Sequence, residues 1–99
     1  MTIESKTKKE VLCIKLTGKL DTQTSPELEK FLDENVSGIK AFEFDFKKLD
    51  YISSYGLRVL LSLKKKTDEK EGYILIKHMN ETVRAVFELT GFADLFIIK

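Results

Sequence analysis

The feature that most constrains the fold is a repeated change in the spacing of apolar residues along the chain. In 41-AFEFDF-46 every second residue is a phenylalanine, which predicts a strand with one buried face. From Tyr55 onward the apolar residues recur every third or fourth position, at Leu57, Leu60 and Leu61, as on the buried stripe of a helix. Strands that alternate with helices predict an α/β fold.

The remaining segments continue this alternation. Pro26 in the first turn, and Thr24 with Glu27 at capping-box spacing, predict a helix start, and Asn80 and Gly91 predict the two ends of a later helix. Right-handed crossovers then predict a mostly parallel sheet, which would be mixed if the two strand-like segments before the first helix pair antiparallel. The predicted elements are the strands 11–16, 41–46 and 73–78, the helices 24–36, 55–66 and 80–91, and a terminal apolar run at 95–98.

Composition limits the classes of partner. The chain of 99 residues is long enough for a single domain, 1–99, and its 17 basic and 16 acidic residues leave a net charge of +1. With so small a net charge the chain has no overall positive potential that would attract nucleic acid. No apolar run is long enough for insertion into a membrane. The lone Cys13 in an apolar setting and the charged N-terminus without a signal sequence predict a cytoplasmic protein.

The chain lacks the residues that most enzymatic reactions require. His78 is the only histidine and has no cluster of metal-ligating residues around it, so we expect no metal site. The five glycines are dispersed, so no loop for a nucleotide cofactor is visible, and there is no G-x-S-x-G motif. Glu43 and Asp45 share a strand face, where carboxylates are usually solvated or paired and not catalytic. We therefore predict no catalytic residue and no cofactor.

The stretch 51-YISSYGL-57 joins a strand to a helix and allows two interpretations. A serine at the helix N-cap accepts a hydrogen bond from a free backbone N–H, which would account for Ser53 or Ser54 without a function. Alternatively, the same free N–H groups and the helix dipole would stabilise a phosphate on one of these serines. The second interpretation predicts a switch that is modified by another protein.

At these residues the chain resembles the STAS domains of bacterial anti-sigma factor antagonists. The likeness runs from about Val11 to Ile98, and its most diagnostic part is an apolar residue followed by S-S-x-G-L at positions 52–57. The resemblance implies a STAS fold with a mixed, mostly parallel sheet of four to five strands and crossover helices. The segments that carry it are 18-GKLDTQTSPEL-28, 42-FEFDFKKLDYISSYGLRVLL-61 and 85-AVFELTGFADLFII-98.

The resemblance also implies a partner switch. In this family an unphosphorylated antagonist binds an anti-sigma factor, a serine kinase with a histidine-kinase-like ATPase fold, and thereby releases the sigma factor. The kinase phosphorylates the antagonist, which ends binding, and a PP2C-type phosphatase restores it. The chain would act as a monomer or weak dimer. The alternative that we keep is a constitutive docking subunit of an ABC lipid-transport or stress-signalling complex.

Carried over position by position, the resemblance assigns roles to eight residues. Ser54 would be the phosphoacceptor, with Ser53 as second choice, and Asp21 and Asp45 would be acidic neighbours of the phosphate. Tyr55 stands where the family usually has a small residue, and Ser53 stands where aspartate is common. The predicted partner-binding surface consists of Asp21, Ser53, Tyr55, Gly56, Leu57 and Arg58.

Overall fold

The computed structural model describes all residues, 1–99, and confirms the α/β fold. Five strands and three helices follow one another, with a short 3₁₀ turn at Phe92–Leu95 before the last strand. The strands are β1 (Thr2–Lys8), β2 (Val11–Leu20), β3 (Ala41–Ile52), β4 (Ile74–Lys77) and β5 (Ile97–Ile98), and the helices are α1 (Ser25–Asn35), α2 (Ser54–Glu69) and α3 (Glu81–Thr90).

The five strands form one mixed sheet in the order β1-β2-β3-β4-β5. β1 pairs antiparallel with β2, as expected for the segments before the first helix, and all other neighbours pair in parallel. Each parallel strand lies beside its predecessor, so successive right-handed crossovers bring all three helices to the same face of the sheet. The molecule therefore has two layers, with the opposite face of the sheet left open.

The core lies between the helices and this covered face. Phe42, Phe44 and Phe46 are each at most 1% exposed, which confirms the period of two seen in the sequence. The ring centroid of Phe46 lies 6.4 Å from that of Phe87 on α3, so the aromatic cluster joins the sheet to the third helix. Burial of such side chains contributes most of the stabilisation of a domain of this size.

β3 is twice as long as the sequence predicted. The expected strand ended at Phe46, whereas β3 continues through Lys47 and Lys48 to Ile52. Two adjacent exposed lysines break the apolar alternation and look like a loop, but the backbone there still pairs with β2, with register shifts that follow Lys15 and Gly18. Gly18 has a φ of 106°, a conformation that glycine adopts without strain.

The three helices each present a single buried stripe to the sheet, and they are 11, 16 and 10 residues long. The predicted ends of α3 are confirmed, because the Asn80 side chain accepts a hydrogen bond from the Val83 N–H at 2.7 Å and Gly91 ends the helix with a φ of 79°. None of the helices is long and apolar enough to cross a membrane.

Candidate functional site: the N-terminus of α2

The ends of β2 and β3 bring Asp21 and the two serines together. Leu20 pairs with Ile52, and the Ser53 N–H donates a hydrogen bond of 2.9 Å to the Leu20 carbonyl. Asp21 and Ser53 are the residues that follow these two paired strand ends. The predicted proximity of Asp21 to the S-S motif therefore follows from parallel pairing, since parallel strands end at the same edge of the sheet.

The two serines have different structural environments. Ser53 has an extended backbone and is the N-cap of α2, where its hydroxyl oxygen accepts a hydrogen bond from the Gly56 N–H at 3.4 Å. Ser54 is the first helical residue, it is exposed, and its hydroxyl makes no hydrogen bond in the structure. The capping interpretation thus accounts for Ser53 and leaves the hydroxyl of Ser54 free for other chemistry.

The helix start at Ser54 is suited to an anion. No aspartate or glutamate lies in the first turn of α2, so its free N–H groups and positive dipole end have no carboxylate on the same helix. At the other end, Lys66 in the last turn complements the negative end of the dipole. A negative charge added at Ser54 would consequently stabilise the helix and leave the fold intact.

Gly56 and Leu57 are buried, although the sequence predicted them to lie on the partner-binding surface. Leu57 is 3% exposed, and an added Cβ at Gly56 would lie 2.8 Å from Cγ of Leu20 and 2.9 Å from Cγ1 of Ile52. Both residues seat the first turn of α2 on the strand ends. The motif therefore contains two kinds of residue: exposed residues that a partner can contact, and buried residues that hold the exposed ones in place.

Tyr55 and Arg58 are the large exposed side chains beside Ser54. Tyr55 is 49% exposed, and the Arg58 guanidinium carbon lies 5.6 Å from the centroid of its ring. They border a cleft of about 160 Å³ between α1 and α2. Tyr51, 42% exposed near the end of β3, is a further exposed aromatic residue at this edge, which the sequence did not reveal because β3 was expected to have ended before it.

The carboxylate of Asp21 organises the turn that leads into α1. It accepts hydrogen bonds from the N–H groups of Thr24 and Gln23, both at 3.0 Å, and the Thr24 bond is the main reason why the pKa of Asp21 is below its usual value. The predicted capping box of Thr24 and Glu27 is wrong. The Thr24 hydroxyl instead donates to the Lys19 carbonyl at 2.6 Å and makes no cap for α1.

Substitutions at Asp21 distinguish the stabilising effect of its negative charge from that of its hydrogen bonds in the turn. At neutral pH we expect thermal stability to fall in the order wild type, Asp21→Asn, Asp21→Ala, because asparagine keeps an acceptor oxygen that alanine lacks. Since the pKa of Asp21 is lowered on folding, its contribution is present above the unfolded pKa and is lost as pH falls through the folded value. Melting temperatures across an acid series should therefore converge for wild type and Asp21→Asn. A constant gap at all pH values would contradict this account.

Asp45 is not a neighbour of Ser54, contrary to the prediction. It lies seven positions before Ile52 on β3, which corresponds to about 23 Å of strand. Its Oδ1 is 3.0 Å from Nδ1 of His78. Although partial burial opposes it, the hydrogen bond from His78 helps to hold the pKa of Asp45 below its usual value. The only histidine therefore pairs with Asp45 and not with the serines.

Comparison with known proteins identifies the family. A model of the STAS domain matches residues 2–99. BtrV of Bordetella bronchiseptica, a candidate anti-sigma factor antagonist, is 35% identical over 82 residues, which cover 82% of this chain and 71% of BtrV. The anti-sigma-B factor antagonist of Staphylococcus aureus is 27% identical over 100 residues, which cover 100% of this chain and 93% of that protein.

Solved structures agree with this fold. The anti-sigma factor antagonist SpoIIAA in its unphosphorylated form has a TM-score of 0.87, covers 99% of this chain and 88% of its own, and is 18% identical. The phosphorylated form of SpoIIAA from Bacillus has a TM-score of 0.78 over 99% of this chain and 91% of its own, at 17% identity. At such identities the likeness is one of fold.

Proposed function

Because this chain belongs to the STAS domain family of anti-sigma factor antagonists, we propose that it works as a phosphorylation-controlled binding module. In its unphosphorylated state it binds an anti-sigma factor in the cytoplasm and so frees the sigma factor. The anti-sigma factor is a serine kinase with a histidine-kinase-like ATPase fold, and it ends binding by phosphorylating Ser54. A PP2C-type phosphatase removes the phosphate and restores binding.

The free, exposed hydroxyl of Ser54 is the observation that carries this proposal. A kinase must bring the γ-phosphorus of ATP to the hydroxyl oxygen, and a serine at the first helical position offers that oxygen to solvent. The new bond joins Ser54 Oγ to phosphorus, the bond to the ADP leaving group breaks, and the hydroxyl proton passes to a base that the kinase supplies. Ser53 is the poorer acceptor because its oxygen caps α2.

Phosphorylation would end binding by changing the surface while leaving the fold intact. A phosphoserine carries nearly two negative charges, and the first turn of α2 itself has no acidic side chain to repel it. The added bulk and charge lie on the same helix turn as the exposed Tyr55 and one turn before Arg58. A partner that buries this surface would have to desolvate the phosphate, which is costly without a cation of its own.

The site of modification can be tested in extract from the native host. The purified chain is incubated with extract, ATP and phosphatase inhibitors, and the modified residue is mapped by mass spectrometry. We expect phosphate on Ser54 in wild type and in Ser53→Ala, and none in Ser54→Ala. Ser53→Ala should also lose about 1 kcal/mol of stability, the usual effect of removing a cap. Phosphate that persists in Ser54→Ala would refute the assignment.

A constitutive docking subunit is the second candidate, and the 49% exposure of Tyr55 favours it. An exposed aromatic residue is a frequent anchor of stable interfaces. In this case transporter or scaffold subunits would copurify with the chain whether or not Ser54 is modified. Recovery that is the same for wild type and Ser54→Ala, with no phosphate on either, would support this second candidate.

A further inference from the structure

Arg58 is a cation without an acidic partner beside the proposed phosphorylation site. Acidic side chains lie within salt-bridge distance of Lys64, Lys66 and His78, and none lies that close to Arg58. Glu29 lines the same cleft but forms no ion pair with the guanidinium. What holds the Arg58 side chain is the ring of Tyr55, at 5.6 Å. A cation over an exposed aromatic ring is weakly held and can move.

The geometry of the helix puts Arg58 within reach of Ser54. Arg58 follows Ser54 by four positions in α2, so the two side chains lie on the same face one turn apart. Side chains of a helix lean toward its N-terminus, and Arg58 accordingly extends over the turn that contains both Ser54 and Tyr55. A phosphate on Ser54 and the ring of Tyr55 are thus alternative partners for one guanidinium group.

We propose that Arg58 is the internal receptor for the phosphate on Ser54, and that Tyr55 holds the guanidinium until the phosphate is present. This inference rests on the proposed function for the phosphate itself. The guanidinium and the phosphate match in geometry and form paired, charge-assisted hydrogen bonds, which are stronger than an exposed cation–ring contact. Because no carboxylate lies in the first turn of α2, nothing on that turn competes for Arg58.

The movement of Arg58 would change the docking surface in a second way. The cleft beside Ser54 is lined by Ser25, Pro26, Glu29, Tyr55, Arg58 and Val59. When Arg58 moves to the phosphate, its positive charge no longer lines the cleft. The carboxylate of Glu29 remains there, and the ring of Tyr55 becomes more exposed. A partner that recognises the Arg58 cation with an acidic group would then lose that contact in addition to meeting the phosphate.

The test uses the whole chain with phosphoserine incorporated at position 54 during synthesis, so that no kinase is required. The second ionisation of the phosphate is followed by ³¹P NMR in wild type, Arg58→Gln and Arg84→Gln. Arg84 is the other arginine of the chain, exposed on α3, and serves as the matched control. A nearby cation favours the dianion, so Arg58→Gln should move the midpoint upward by roughly half a pH unit, the size of one exposed ion pair.

A second readout follows Tyr55. In the wild type, phosphorylation should move the Tyr55 ring resonances toward those of unphosphorylated Arg58→Gln, because the guanidinium leaves the ring. Arg84→Gln should behave like wild type in both measurements. The role of Arg58 would be overturned if Arg58→Gln left the midpoint of the phosphate ionisation unchanged. It would also be overturned if phosphorylation did not shift the Tyr55 ring resonances in the wild type. Neither result depends on which protein phosphorylates Ser54, so this failure is distinct from a failure of the proposed function.

Discussion

The Ser54→Asp variant is expected to bind the proposed partner, an anti-sigma factor kinase, on the order of 100-fold more weakly than wild type. The partner would bury a carboxylate at this position without supplying a cation of its own, and an interfacial charge that the partner does not match costs about 2–5 kcal/mol. The fold should be retained, because a negative charge is favourable at the first turn of α2. Isothermal titration calorimetry with the purified kinase measures the loss.

Two controls belong to this measurement. Ser54→Ala removes the acceptor without adding charge and should bind within about threefold of wild type, since exposed contacts contribute little. Ser62→Asp adds the same charge at an exposed position of the same helix, eight residues later, which is about 12 Å along the axis. Equal weakening by Ser62→Asp would assign the effect to net charge and not to position 54.

Gly72→Ala is expected to have the largest effect on folding. A Cβ at this position would lie 1.7 Å from the carbonyl oxygen of Lys40, a backbone atom that cannot turn away as a side chain can. Relieving the overlap requires the turn before β4 to separate from the chain that enters β3, where the Phe42 N–H donates to the Tyr73 carbonyl. We expect a loss of more than about 3 kcal/mol from a total that is typically 5–15 kcal/mol.

Gly38→Ala is the matched control for Gly72→Ala. Its φ is 78°, but an added Cβ would meet no atom within 4 Å, so the cost is limited to about 1–2 kcal/mol of backbone strain. Thermal unfolding followed by circular dichroism should rank Gly72→Ala well below Gly38→Ala, by more than about 4 °C for each kcal/mol of difference. Equal melting temperatures would contradict this expectation, because they would show that the backbone near Lys40 can move away from the added Cβ at little cost in free energy.

Periodic patterns predicted the architecture well because they report directly on burial. The alternation in 41–46 placed three phenylalanines on the covered face, and the glycine and asparagine signals gave both ends of α3. The length of β3 could not be read in the same way. Its second half pairs with β2 but does not show the apolar alternation of the first half. The two exposed lysines interrupt that alternation, so the sequence did not indicate that the strand continues.

The candidate site was predicted in part, because a motif in sequence does not separate what is exposed from what is buried. The S-S pair and Asp21 come together as expected, whereas Gly56 and Leu57 are core residues. Asp45 precedes the serines in sequence, but seven further positions of β3 separate it from Ile52 at the end of the strand. The contact of Arg58 with Tyr55 depends on rotamers, which spacing alone does not determine.

The most direct test of the partner switch compares two forms of the whole chain as bait in extract from the native host. One form has the natural serine at position 54 and the other has phosphoserine there, and the recovered proteins are identified by mass spectrometry. The partner switch predicts that the serine form recovers a protein with a histidine-kinase-like ATPase fold and that the phosphoserine form does not. Recovery of the same proteins by both forms would contradict it and would make the domain a constitutive docking subunit.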